Sequence, residues 1–170
     1  MGQLLVFTGN GKGKTTAALG QIFRALGHGW KCCCLQFIKS ETAAGEALFA
    51  SGQRLLDFKS LGLGFVLPGE DPEPHRKAAI AAWQEAKEAV SSGAYRLVVL
   101  DELTYLCSLK FLDTEEVLRV LRERPSGVHI VVTGQEAPQE FVDAADIATE
   151  MHEVKHSFYA GREAQEGIEY

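Results

Sequence analysis

No feature constrains this chain more than residues 8–16, TGNGKGKTT. They follow an apolar run, Leu4-Leu5-Val6-Phe7, and open an Ala-rich segment, Thr16-Ala17-Ala18-Leu19. Strand, glycine-rich loop and helix in that order are the context a phosphate-binding loop requires. Gly9, Gly11 and Gly13 let the backbone curl until its N–H groups converge on a phosphate, and the helix N-terminus behind them adds partial positive charge. Lys14 can reach phosphate oxygens, and the Thr15 hydroxyl can ligate Mg²⁺. Thr8, Gly9, Asn10, Gly11, Lys12, Gly13, Lys14, Thr15 and Thr16 are therefore the candidate nucleotide site, and a nucleoside triphosphate is the expected ligand. In the usual pattern, G-x-x-x-x-G-K-[ST], the first glycine falls on Thr8 here. A plain glycine-rich turn before a helix is the alternative; Lys14 and Thr15, both in place behind a strand, argue against it.

The 170 residues, 46% apolar and 24% charged, are expected to form one soluble globular domain spanning 1–170. The formal net charge is -6, with no basic stripe. A partner of nucleic-acid phosphates would need one, so no nucleic acid is expected. No apolar stretch approaches a membrane span and no signal peptide precedes the first strand, so the chain is expected to be cytoplasmic, with no membrane partner. Cys32, Cys33 and Cys34 are consecutive in an apolar run, where neighbours on a strand point to opposite faces. They cannot converge on one metal, and with Cys107 they are expected to pack as small buried hydrophobes.

Apolar runs alternate with helical patterns along the chain. Strands are expected over residues 3–7, 32–38, 55–61, 97–100, 129–133 and 147–154. Helices are expected over residues 14–26, closed by Gly27 and Gly29, over 75–91, with Pro74 at the first helical position, and over about 138–145. Asp113 and Glu116 have capping-box spacing before Val117, Leu118, Val120 and Leu121. Residues 62–74, rich in glycine and proline, are the candidate mobile functional loop. This alternation gives a three-layer α/β fold with a mostly parallel sheet.

Leu97-Val98-Val99-Leu100 ends in Asp101-Glu102. Ligands of parallel sheets bind at the carboxyl ends of strands, which puts these carboxylates on the same rim as the glycine-rich loop. A carboxylate there can hold Mg²⁺ directly or through water. Glu102 is a metal ligand, a base that activates water, or the cap of a turn; residue type alone does not choose. Lys12 faces phosphate or solvent. Arg24, about 15 Å further along the helix than Lys14, is too far for direct phosphate contact and is read as a surface ion pair. His152 and His156 are four apart and would align only on a helix.

GNGKGKTTAALG, RALGHG at residues 24–29, QFIK at 36–39, VVLDELTY at 98–105 and the tail VKHSFYAGREAQEGIEY at 154–170 together resemble the ATP:corrinoid adenosyltransferases of the P-loop type. The matches run in order over nearly the whole chain. The resemblance implies a RecA-like P-loop fold, a homodimer, and transfer of the 5′-deoxyadenosyl group of ATP to the reduced cobalt of a corrinoid, with triphosphate as the leaving group. It implies that ATP lies reversed in the loop, ribose toward the corrinoid, and that an electron-donating reductase, a flavoprotein, supplies cobalt(I). Thr15 and Glu102 would carry Mg²⁺, supported by Asp101. Asn10 would position the nucleotide, and Lys14 would stabilise charge on the leaving triphosphate.

Two departures from the family stand out. Family members often carry an N-terminal arm that folds over the corrinoid; with only Met1 and Gly2 before the first strand, that lid is expected to be missing or supplied otherwise. Of two aromatics that exclude cobalt's lower ligand, Phe65 matches the first, and Leu67 stands in place of the second. Two other readings of the same residues are a P-loop ATPase or small-molecule kinase, and a nucleotide-gated corrinoid-binding protein.

Overall fold

The computed structural model describes residues 2–40, 44–161 and 163–169. In chain order the elements are β1 (Leu4–Thr8), α1 (Lys14–Gly27), β2 (Cys32–Gln36), α2 (Gly45–Ser51), β3 (Leu56–Ser60), α3 (Glu73–Ser91) and β4 (Leu97–Asp101). There follow α4 (Leu103–Ser108), α5 (Thr114–Arg122), β5 (His129–Thr133), α6 (Gln139–Ala144), β6 (Ile147–Glu150) and a 3₁₀ turn, Ser157–Ala160. The strands form one sheet in the order β3-β2-β4-β5-β1-β6, and every pairing is parallel.

Helices cover both faces. Cys33, Val98, Leu100, Ile130 and Val132 face α3, α4, α5 and α6 through Trp83, Leu103, Val117, Leu121 and Phe141. Cys32, Cys34, Val99 and Val131 face α1 and α2 through Ala18, Ile22, Ala25 and Ala50. The three adjacent cysteines thus alternate between faces, all buried and free. Burial pushes Cys32 up to about 11 and Cys33 and Cys107 up to about 12. These thiols pack; they are not poised to react.

Local chemistry sets the element ends. α1 closes on a Schellman pattern: the Gly29 N–H donates to Leu26 O (2.9 Å) and the Trp30 N–H to Ala25 O (3.1 Å), with Gly29 left-handed at φ 70. The Asp113 side chain caps α5 by accepting from the Glu116 N–H at 2.8 Å. α3 starts one turn position earlier than expected, with Pro72 as cap and Pro74 at the second helical position. α2 and α4 were not expected. β6 stops at Glu150, short of residue 154, and its residues are exposed along the sheet edge.

Candidate nucleotide and corrinoid site

The strand order explains how the site assembles. β4 and β5 lie between β1 and β2, so α1 must lean across them on its way from β1 to β2. Its first turn therefore reaches the carboxyl end of β4. There the Thr15 hydroxyl donates to Asp101 Oδ1 at 2.9 Å. Asp101 also receives the Thr133 hydroxyl on Oδ1 (2.7 Å) and the Gln36 amide on Oδ2 (3.2 Å). Ser60 in turn donates to Gln36 Oε1 at 2.9 Å. A row of polar side chains, Ser60, Gln36, Asp101 and Thr133, crosses the ends of four neighbouring strands and fixes Thr15. Asp101, with every oxygen engaged, positions the hydroxyl.

Glu102 is different. It sits in the left-handed region at φ 62, a conformation costly for a residue with a side chain. The Thr133 hydroxyl accepts its N–H at 2.9 Å. It occupies the cap position of α4, but its side chain makes no cap hydrogen bond. Oε2 is buried with no partner among the described residues. Burial, then the Asp101 charge, pushes the carboxyl up to about 7. A buried acceptor left open beside the loop wants a proton or a cation. Together with the Thr15 hydroxyl, it fits Mg²⁺, which takes one or two protein oxygens and completes its shell with phosphate and water. Among the described residues no three of His, Cys, Asp and Glu cluster as a metal cage, the pair His152 and His156 included.

Lys12, Gly13, Lys14, Thr15 and Thr16 line a cleft of about 420 Å³ together with Leu19, Lys39, Glu46 and Glu102. Lys14 is buried, and its ammonium donates to Gly11 O at 2.9 Å, inside its own loop. The first half of the loop does other work. The Thr8 hydroxyl accepts the Ala137 N–H at 2.9 Å, and Asn10 Oδ1 accepts the Glu153 N–H at 3.0 Å. The Gly11 N–H donates to Met151 O at 2.7 Å. A Cβ on Gly9 would meet Met151 O at 2.3 Å, and one on Gly11 would meet it at 2.8 Å. So these two glycines let the segment after β6 pass close behind the loop, a demand that the loop sequence alone did not disclose. Of the nine candidate residues, Thr8, Gly9, Asn10 and Gly11 do not line the cleft.

The tail returns to the same place. Lys12 Nζ donates to Ile168 O at 3.1 Å and lies 3.9 Å from Glu169, on a half-exposed side chain that also lines the cleft. Gly167, Ile168 and Glu169 form part of the cleft wall. Arg24 lies at the opposite rim beside His28, Trp30 and His129 and makes no ion pair among the described residues, which corrects the ion-pair reading.

Phe65 follows β3. The loop start is pinned to the end of β2 by the Gly62 and Gly64 N–H groups, which donate to Lys39 O (2.9 Å) and Ile38 O (2.7 Å). Phe65 is 49% exposed and meets Tyr105 edge-to-face at 5.3 Å. Tyr105 lies on α4, three residues beyond Glu102, so it ties the aromatic loop to the carboxylate rim. It was not singled out from the sequence, although it lies within VVLDELTY. Leu67 is 64% exposed.

The family model described as ATP:corrinoid adenosyltransferase BtuR/CobO/CobP matches residues 1–170. A corrinoid adenosyltransferase of Escherichia coli (strain K12) is 40% identical over 169 residues, 99% of this chain and 86% of its own length. One of Pseudomonas aeruginosa is 41% identical over 170 residues, 99% of this chain and 84% of its own. Among solved structures, the flagellar accessory protein FlaH from Methanocaldococcus jannaschii superposes with a TM-score of 0.58 at 10% identity, over 87% of this chain and 70% of that one. That likeness concerns the fold alone.

Proposed function

The chain belongs to the ATP:corrinoid adenosyltransferase family, and from that premise we propose how its cleft divides between nucleotide and corrinoid. The enzyme transfers the 5′-deoxyadenosyl group of ATP to the cobalt of a corrinoid substrate, in cobalamin biosynthesis. Cobalt(I) contributes the electron pair of the new Co–C5′ bond. The C5′–O bond breaks, and its pair leaves with the triphosphate. No general base is needed, because the nucleophile carries no proton.

The triphosphate lies against residues 12–16 with the ribose turned toward the corrinoid. Lys14 leaves its contact with Gly11 O to meet the departing charge, and the loop N–H groups add to that stabilisation. Thr15 and Glu102 hold Mg²⁺, with Asp101 orienting Thr15; when bound, the ion supplies further positive charge to the triphosphate. The observation that carries this assignment is Oε2 of Glu102, buried and without a partner among the described residues, on the wall of the cleft that holds Lys14. Phe65, braced by Tyr105, presses on the lower face of the corrinoid and excludes the axial ligand.

The chain works as a single domain in the cytoplasm. Among the described residues no helix is long and apolar enough to cross a membrane. Exposed Phe23, Leu48 and Phe49, at 75%, 64% and 55%, favour a homodimer. A flavoprotein reductase supplies the electron that the cobalt requires.

The test is anaerobic incubation with ATP, magnesium and chemically reduced cobalamin. The expected result is the spectrum of a cobalt–carbon bond with one inorganic triphosphate released per corrinoid. Steady ADP release without corrinoid would point to an ATPase or kinase. Binding of both ligands without the new bond would point to a corrinoid carrier.

A further inference from the structure

Lys39 and Glu46 face the same cleft as the phosphate loop. Lys39 lies just past β2, and Glu46 lies in the first turn of α2. Their side chains form an ion pair with Lys39 36% and Glu46 14% exposed. The backbone of Lys39 is fixed, because its carbonyl accepts the Gly62 N–H at 2.9 Å. Only its side chain is free to reorient. Glu46 is held from behind: buried Gln36 donates to Glu46 Oε1 at 3.4 Å and to Asp101 Oδ2 at 3.2 Å. Burial raises the Glu46 carboxyl, but Lys39, the backbone N–H of Glu46 and Gln36 together hold it below its ordinary range.

A cleft built for a polyanion therefore contains a fixed carboxylate, neutralised by a cation on a movable stem. We propose that Glu46 is an internal competitor for Lys39: when triphosphate enters, Lys39 trades the carboxylate for phosphate oxygens, and the unpaired Glu46 left behind limits how tightly triphosphate is held. This rests on the assignment of the cleft to triphosphate. It also suits the reaction. Triphosphate is part of the substrate and is also the product, so a contact that binds both alike slows release without speeding transfer. An opposing charge beside the leaving group weakens that uniform binding.

The sign of the effect makes it testable. Binding of inorganic tripolyphosphate is measured by titration calorimetry at one fixed magnesium concentration, without corrinoid, on the whole chain. Glu46→Gln keeps an acceptor for Gln36 and removes the charge. It should tighten tripolyphosphate by about twofold to fivefold, the scale of one partly exposed ion pair. Lys39→Gln should weaken binding by a similar factor. In Lys39→Gln/Glu46→Gln the gain should vanish, because no cation is left to release. Glu46→Ala repeats the test should the glutamine variant melt early. Unchanged or weaker binding in both Glu46 variants overturns the inference. So does an equal gain in the Lys39→Gln background, which would mean a general field effect and no exchange of partners. Lys14→Ala separates the two levels. If it leaves tripolyphosphate binding intact, the cleft assignment itself fails. If it weakens binding while the Glu46 variants show no gain, only the competitor role falls.

Discussion

Glu102 makes the pH dependence of stability a direct probe of the site. Its carboxyl is raised from an ordinary 4.5 to about 7 by burial and by Asp101. A raised acid binds its proton more tightly in the folded state than in the unfolded one. Its contribution is therefore fully present below about pH 4.5 and is lost as pH rises toward about 7, where the folded carboxylate ionises at a cost. Every tenfold change in proton affinity is worth about 1.36 kcal/mol, so the loss is at most about 3 kcal/mol. For a chain of this length that corresponds to roughly 6–12 °C in melting temperature. Glu102→Gln keeps the volume and removes the titration. The difference in melting temperature between the two proteins, followed from pH 4.5 to 8 without magnesium, isolates this group. The subtraction matters because His129, held below its ordinary range by burial and Arg96, gives a slope of opposite sign in part of the same window. The variant should be the more stable of the two above about pH 7, and magnesium should close the gap by stabilising the wild type alone. A difference curve flat in pH would refute the claim that Glu102 is a buried carboxylate in want of a cation.

Lys14→Met, which keeps the stem of a buried side chain, should lower adenosylation by more than about tenfold, or 1.4 kcal/mol of transition-state stabilisation, with an unchanged melting curve. Gly11→Ala should lose about 1–3 kcal/mol in urea denaturation, because its Cβ would meet Met151 O at 2.8 Å; wild-type stability would remove the loop's packing constraint. Phe65→Ala should slow the reaction from cobalt(II) far more than the reaction from pre-reduced cobalt(I), and Leu67→Trp should speed the former, since the position is open; equal losses from both states for Phe65→Ala would reduce Phe65 to a binding residue.

The parallel sheet was readable because its inner strands are covered on both faces. Cys32–Gln36 and Leu97–Asp101 are apolar nearly throughout, which leaves little room for another reading. α2 and α4 escaped for opposite reasons. α2 buries only Ala50 and exposes Leu48 and Phe49, so it carries no apolar stripe. α4 buries Leu103, Thr104, Leu106 and Cys107 within six residues, so it has no polar face to give a period. The second half of the glycine-rich loop, residues 12–16, lines the cleft that its residue types led one to expect. Its first half answers to the chain behind it, and nothing near Gly9 in sequence announces Met151. Likewise the engaged state of Asp101 and the open oxygen of Glu102 depend on Gln36 and Thr133, which reach them only through the strand order.

The polar row across the strand ends sets the terms on which this site can be moved or rebuilt. Ser60, Gln36, Asp101 and Thr133 come from four separate strands, yet each takes its orientation from the next. Transplanting GNGKGKTT into another parallel sheet would carry over the glycines and Lys14 and leave Thr15 without the carboxylate that aims it. Changing Gln36 to a carboxylate would set like charges against Asp101 and Glu46 at once. The proposed nucleotide module is thus wider than its motif: it is the loop together with one residue from the end of each of four strands, and it exchanges as a set.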